Sequence, residues 1–251
     1  MEAPPLRASA PISAALGYLE TMIKIQCKSA PILAASLSRC FSNIARVSDL
    51  LGVYNDTENR DILRMCVSFL HATVEDCMRN LVYYKLILSN SRDELNQVPL
   101  IGTTNTGRPE KFLLGELLRF ENESVDSIIE KSVFEYVNRL TFNNTTDIMA
   151  YVNKFNLEGK DIVPLLSDLN SLITRRHNVV HNSDFSINRS LLNMKVAVHL
   201  ETKESYDLEP IDAEMVESWL STTSQFFMII IPLFLPSGEG ITMQNIQTID
   251  E

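Results

Sequence analysis

At 251 residues, with 45% apolar composition and only 8 glycines, the chain can bury a sizeable core and reads as a mainly α-helical globular protein. A formal net charge of −10 excludes a broad phosphate-binding surface of the kind that coats duplex DNA. No DNA partner is therefore expected, and any nucleic-acid contact must sit in a local basic cleft. The four cysteines (Cys27, Cys40, Cys66 and Cys77) form no C-x-x-C pair and read as buried apolar residues of a reducing cytoplasm.

The amino terminus, MEAPPLRASAP, has no apolar h-region, so no signal peptide is expected, and residues 1–11 are assigned to a disordered segment. Residues 12–56 form a helical extension expected to pack on the core. Within it, Ile12–Lys28 has a weak helical period, and Ile32–Leu51 carries apolar residues at Ile32, Leu33, Leu37, Phe41, Ile44 and Leu51. Gly52 and Asn55–Asp56–Thr57 are read as its end. The main domain, 57–236, opens with Asp61–Leu88, apolar nearly all round and so a central buried helix. Its polar residues Arg64, Ser68, His71, Glu75 and Arg79 step by four, three, four and four, which places them in one stripe. Asn90–Gly107 is a polar loop.

Helices are expected next at Glu110–Phe120, after Pro109, and at Val125–Leu140. A short helix is expected at Asp147–Phe155 and a longer one from Lys160 to His181, with a β-hairpin within 194–209 formed by Val196–Leu200 and Tyr206–Leu208. The last helix runs from Ala213 to Ile231, behind a cap at Ile211–Asp212, and 237–251 is a flexible tail. The most apolar run, Phe226–Leu235, is ten residues long and contains Pro232. That is too short to cross a bilayer, so it should plug a core or a subunit interface, and no membrane contact is expected.

The densest chemistry lies at Thr174–Asn182, TRRHNVVHN, which carries two arginines and two of the four histidines. The apolar stripe Leu165, Leu169, Leu172 continues onto Arg176, and a charge on a core-facing seam is costly unless it is paired or faces a ligand. Glu75 and Asp76 of the buried helix are the natural partners. Thr174, His177, Asn178 and His181 form a polar face. At about 100° per residue, Arg176 and His181 lie about 140° apart, a poor arrangement for gripping one phosphate. A two-fold dimer would bring two copies of the motif into one cleft.

Three readings of this motif stand. His177 and His181 are at i, i+4, as in H-E-x-x-H metalloproteases, but Asn178 replaces the general base and no third ligand follows. A structural reading makes it a basic helix end that complements the helix dipole and pairs with Glu75. The third is phosphoryl transfer on RNA, with histidine taking the proton of a ribose 2′-OH and arginine stabilising the charge that develops on phosphorus. That chemistry calls for no metal or cofactor, because the RNA supplies its own nucleophile.

The run Arg176–His177–Asn178–Val179–Val180–His181 resembles the R-x4-6-H motif of the HEPN superfamily. Its context, LNSLITRRHNVVHN, is similar to the LxxLxxRRHxIVH pattern of RiboL-PSP-type and MAE-type HEPN proteins. Upstream, HATVEDCMRNL resembles their HAxxExFxR helix, and NRLTFNNTTDIMAYVNKFNLE resembles the short-helix insert before the motif helix. The likeness spans Leu63 to Asp184. Arg64–His71 also fits R-x6-H and is read as a decoy. The resemblance implies an HEPN-like antiparallel bundle, a homodimer, and a metal-independent endoribonuclease of a toxin–antitoxin or anti-phage system, with an antitoxin or defence protein as further partner. His181 would be the catalytic base or acid, Arg176 the phosphate contact and His177 its support. Glu75 would orient Arg176, and Arg175 and Asn178 would be weaker substrate contacts. The alternative readings are Glu75 as an i, i+4 partner of Arg79 and His71 as a satisfied core histidine. The chain departs from many relatives in having Asn182–Ser183–Asp184 after the last histidine. The alternative function is a non-catalytic HEPN module that binds a partner protein or nucleotide.

Overall fold

Helices account for nearly all the regular structure, because long apolar-periodic stretches are separated by short capping sequences. The structure, a computed structural model, describes residues 31–88, 92–101, 118, 120–184 and 208–234. Helix α1 spans Pro31–Thr57 and α2 Arg60–Leu88, followed by the single turn α3 at Arg92–Leu95. Then come α4 (Val125–Asn138), α5 (Thr145–Lys154), two 3-10 turns (Gly159–Asp161 and Val163–Leu165), α6 (Leu166–Asn182) and α7 (Ala213–Phe234). No β-strand occurs among the described residues. The expected hairpin, apart from Leu208, and the expected helices at Ile12–Lys28 and Glu110–Phe120 (Leu118 and Phe120 apart) lie outside them, as does the 237–251 tail.

Helix α2 is the centre of the bundle, as its apolar circumference predicts. It packs against α1, α4, α6 and α7, and Leu63, Val67, Leu70, Val74, Met78 and Leu81 are fully or almost fully buried. Leu37, Cys40, Phe41, Ile44 and Val47 of α1 join the same core. From α7, Phe226, Phe227, Ile230, Ile231 and Phe234 are completely buried. Their rings meet Phe41 edge-on at 6.4 Å and Phe155 at 5.8 Å. The apolar run near the carboxyl terminus therefore plugs the core of its own chain, each large side chain contributing about 2 kcal/mol. Cys40, Cys66 and Cys77 are buried free thiols, and no helix among the described residues is long and apolar enough to cross a membrane.

Element ends differ from expectation for identifiable reasons. Gly52 does not stop α1; the chain continues to Thr57 and turns at Glu58, whose φ of 53° supplies the left-handed residue that ends a helix. Leu51 is still buried there and Tyr54 still packs on the core, which offsets the roughly 1 kcal/mol cost of a helical glycine. Asn144 caps α5 by accepting from the Asp147 amide at 2.8 Å, so α5 begins two residues early. Pro164 lacks an amide and disfavours helical geometry in the residue before it, so 3-10 turns stand where a continuous helix from Lys160 was expected.

Candidate functional site

The polar stripe of α2 is the seam along which α6 and the 139–144 connection lie. Arg64, near the start of α2, bonds Asp184 just beyond the end of α6, while His71 lies close enough to Arg176 to feel its charge. The two helices therefore run antiparallel, and the stripe has two ends of different character.

At one end sits a buried charge cluster. Asp184 is completely buried, and its Oδ2 accepts from Arg64 Nε at 2.6 Å and from Arg175 Nη2 at 2.8 Å. Arg175 also donates to Glu209 Oε2 at 3.0 Å and to the Glu209 carbonyl at 2.9 Å; Arg64 Nη2 reaches that carbonyl at 3.3 Å. The Glu209 amide donates to the Asp184 carbonyl at 2.8 Å. Asp184 can be aimed this way because α6 ends in two left-handed residues, Ser183 (φ 51°) and Asp184 (φ 59°), whose amides both turn back to the Asn178 carbonyl. Neither is glycine, so each costs about 1 kcal/mol or more that the cluster must offset.

At the middle and far end of the stripe, His71 is 1% exposed, and its Nε2, in the neutral tautomer that carries a proton there, donates to the Phe142 carbonyl at 3.3 Å. Burial lowers its pKa, with the Arg176 guanidinium adding to the effect; Glu75 opposes both. Arg79 donates to Glu75 Oε1 and to the Leu140 carbonyl, each at 2.8 Å. These bonds pin the chain between α4 and α5 onto α2.

The structure places the expected site residues as follows. Arg176 is half-buried over α2, where the helical period put it, and it makes no hydrogen bond or ion pair with any described residue. His177 and His181 are exposed on the next flank of α6, with ring centroids 4.6 Å apart and planes tilted by 46°. Asn178 is half-buried and its side chain accepts from Asn182 Nδ2 at 3.4 Å. Two expectations are corrected. Glu75 pairs with Arg79, one turn along its own helix, instead of bonding Arg176. Arg175, expected to face substrate, is 8% exposed and committed to Asp184 and Glu209, because the chain leading into α7 covers that flank of α6.

Sequence reasoning missed Asp184 and Glu209. Asp184 lies three residues past His181 and carried no periodic signal, and Glu209 reaches the cluster only through the fold. Arg64, set aside as half of a chance motif, is a working member of the cluster. Among the described residues no group of three or more histidine, cysteine or acidic side chains could hold a metal. A groove of about 440 Å³ between α2 and α6, lined by Arg64, Met65, Ser68, Phe69, Ala72 and Val179, is almost wholly apolar. Met65 beside it and Val180 on the last turn of α6 are each about half exposed. The described residues define a mainly α-helical protein. No protein-family model, curated protein or solved structure matches the chain.

Proposed function

We propose that the protein is a metal-independent endoribonuclease of HEPN type, acting in a toxin–antitoxin or anti-phage defence setting. The observation that carries this reading is a division within two turns of α6. Arg176 is held half-buried without an ionic partner among the described residues, while the His177–His181 pair is presented to solvent on the adjoining flank. An arginine kept out of ion pairs keeps its donors for a phosphate, and imidazoles open to solvent are within reach of an RNA substrate.

In the proposed reaction His181 removes the proton of a ribose 2′-OH and O2′ bonds to phosphorus. The bond from phosphorus to O5′ breaks, and the leaving oxygen takes its proton from a second imidazole. Arg176 bears the extra negative charge on the phosphoryl oxygens in the transition state. The products are a 2′,3′-cyclic phosphate and a free 5′-hydroxyl. Because Arg176 and His181 diverge on one helix, the reading places two copies of the motif in one cleft of a homodimer. The apolar groove beside α6, with Met65 and Val180, offers a face for the second copy.

The test is incubation with single-stranded RNA in EDTA, with analysis of the product ends. Cleavage leaving cyclic phosphates is expected. Intact RNA under conditions where the folded protein is a dimer would leave a module that binds protein or nucleotide without cutting.

A further inference from the structure

The Arg64–Arg175–Asp184–Glu209 cluster lies three residues from the histidine proposed to move the proton, and its construction is not that of a simple stabilising contact. Asp184 is fully buried, its Oδ1 has no hydrogen-bond partner, and neither has Arg175 Nε. Buried ion clusters are an inefficient source of stability, since an apolar replacement of similar volume often does as well. What such a cluster supplies is a defined geometry. Here it draws together four places in the chain: the first turns of α2, the middle of α6, the residue just past α6 and the approach to α7.

The last turn of α6 is held on one side only, where Val179 lines the groove against α2 and Asn182 bonds Asn178. His177, Val180, His181 and Ser183 are exposed, and the turn carries the chain into two consecutive left-handed residues. The pull of two arginines on Asp184 is the ionic restraint on that turn, and His181 sits within it.

We propose that Asp184 is a positioning residue. By holding Arg64 and Arg175 from beyond the end of α6, it fixes the final turn of that helix and so the placement of the His181 ring relative to Arg176. The catalytic part of this inference rests on the ribonuclease reading; the geometric part does not. The experiment therefore has two readouts on Asp184→Asn, which keeps the shape and removes the charge. Ring Cε1–H signals of His177 and His181, resolved by NMR, report geometry whether or not RNA is cut. Steady-state cleavage gives kcat and KM separately.

In the wild type the two rings, 4.6 Å apart, should give distinct signals. In Asp184→Asn these should converge towards the free-histidine position, and kcat should drop by about 10² with KM changed less than about threefold, since misplacement of a reacting group costs the chemical step. Ile230→Val, a core change remote from the cluster, should lower stability without moving either ring signal. Unchanged ring signals in folded Asp184→Asn would overturn the proposal. Converged signals with no cleavage by the wild type would sink the ribonuclease reading and keep the positioning role. If Asp184→Asn does not fold, Glu209→Gln decides: a smaller convergence of the same kind supports the proposal, and none overturns it.

Discussion

Arg175 and Arg176 are consecutive residues with opposite surroundings. Arg175 is buried, with three hydrogen bonds to Asp184 and Glu209. Arg176 lies half-buried over α2 with no such partner among the described residues. The difference follows from what covers each flank of α6. The chain running into α7 closes over the Arg175 side and brings Glu209 with it, whereas the Arg176 side meets the polar stripe of α2 at His71, an uncharged ring that cannot neutralise a guanidinium. One helix thus carries a closed ionic cluster and, one residue further on, a guanidinium with no ion pair to any described residue. Identity of residue type says little about role; the neighbours decide it.

That contrast can be broken from either side. The largest effect on stability should come from Asp184→Ala, which leaves two arginines facing each other without their shared carboxylate. Removing one partner of a buried pair costs about 3–5 kcal/mol, which corresponds to a fall in Tm on the order of 10 °C for a chain of this size. Thermal denaturation checks it, and a shift of about 2 °C or less would mean the cluster is not holding the fold. On the open side, His181→Ala should lower RNA cleavage by about 10²–10⁴. Because the ring is exposed, its Tm should stay within about 2 °C of wild type.

His71 lies between the two regions and gives the contrast a pH dependence. Its folded-state pKa is below the 6.5 of the free side chain, so over that window the unfolded chain binds more protons than the folded one. Its contribution is fully present above pH 6.5 and is lost as the pH falls from there towards the depressed value. Urea midpoints of the wild type should drop through this range more steeply than those of His71→Gln; parallel profiles would place His71 outside the account. The smallest effect is expected for Glu75→Gln. Its pair with Arg79 is a partly exposed i, i+4 contact worth about 0.5 kcal/mol, and cleavage should change less than about threefold. A loss comparable to that of His181→Ala would restore Glu75 as the residue that orients Arg176.

Much of the bundle was legible from periodicity. The circumference of α2 announced a central helix, the apolar run in α7 announced a core plug, and the Arg64–Arg79 stripe marked the seam. Arg176 fell on that seam because angular position is local information. Burial is not local: it depends on which distant segment covers a flank, and nothing near Arg175 in sequence predicts Glu209. The Glu75–Arg79 pair was open to sequence reading as an i, i+4 contact, and the competing link to Arg176 came from the cost of a charge on a buried seam as well as from the family resemblance. Helix ends were misplaced where a cap outweighed a glycine, as at Glu58, or where a proline forced a 3-10 turn, as at Pro164.

The central claim, that two adjacent arginines serve separate ends, is tested most directly by making the same change at each. Arg175→Met and Arg176→Met should be compared for thermal stability and for cleavage of single-stranded RNA in EDTA. The account predicts that Arg175→Met loses about 3 kcal/mol or more of stability. Arg176→Met should keep its Tm within a few degrees and lose cleavage by about 10² or more. If Arg176→Met unfolds as readily as Arg175→Met, or cuts RNA as well as the wild type, the division of roles along α6 is contradicted.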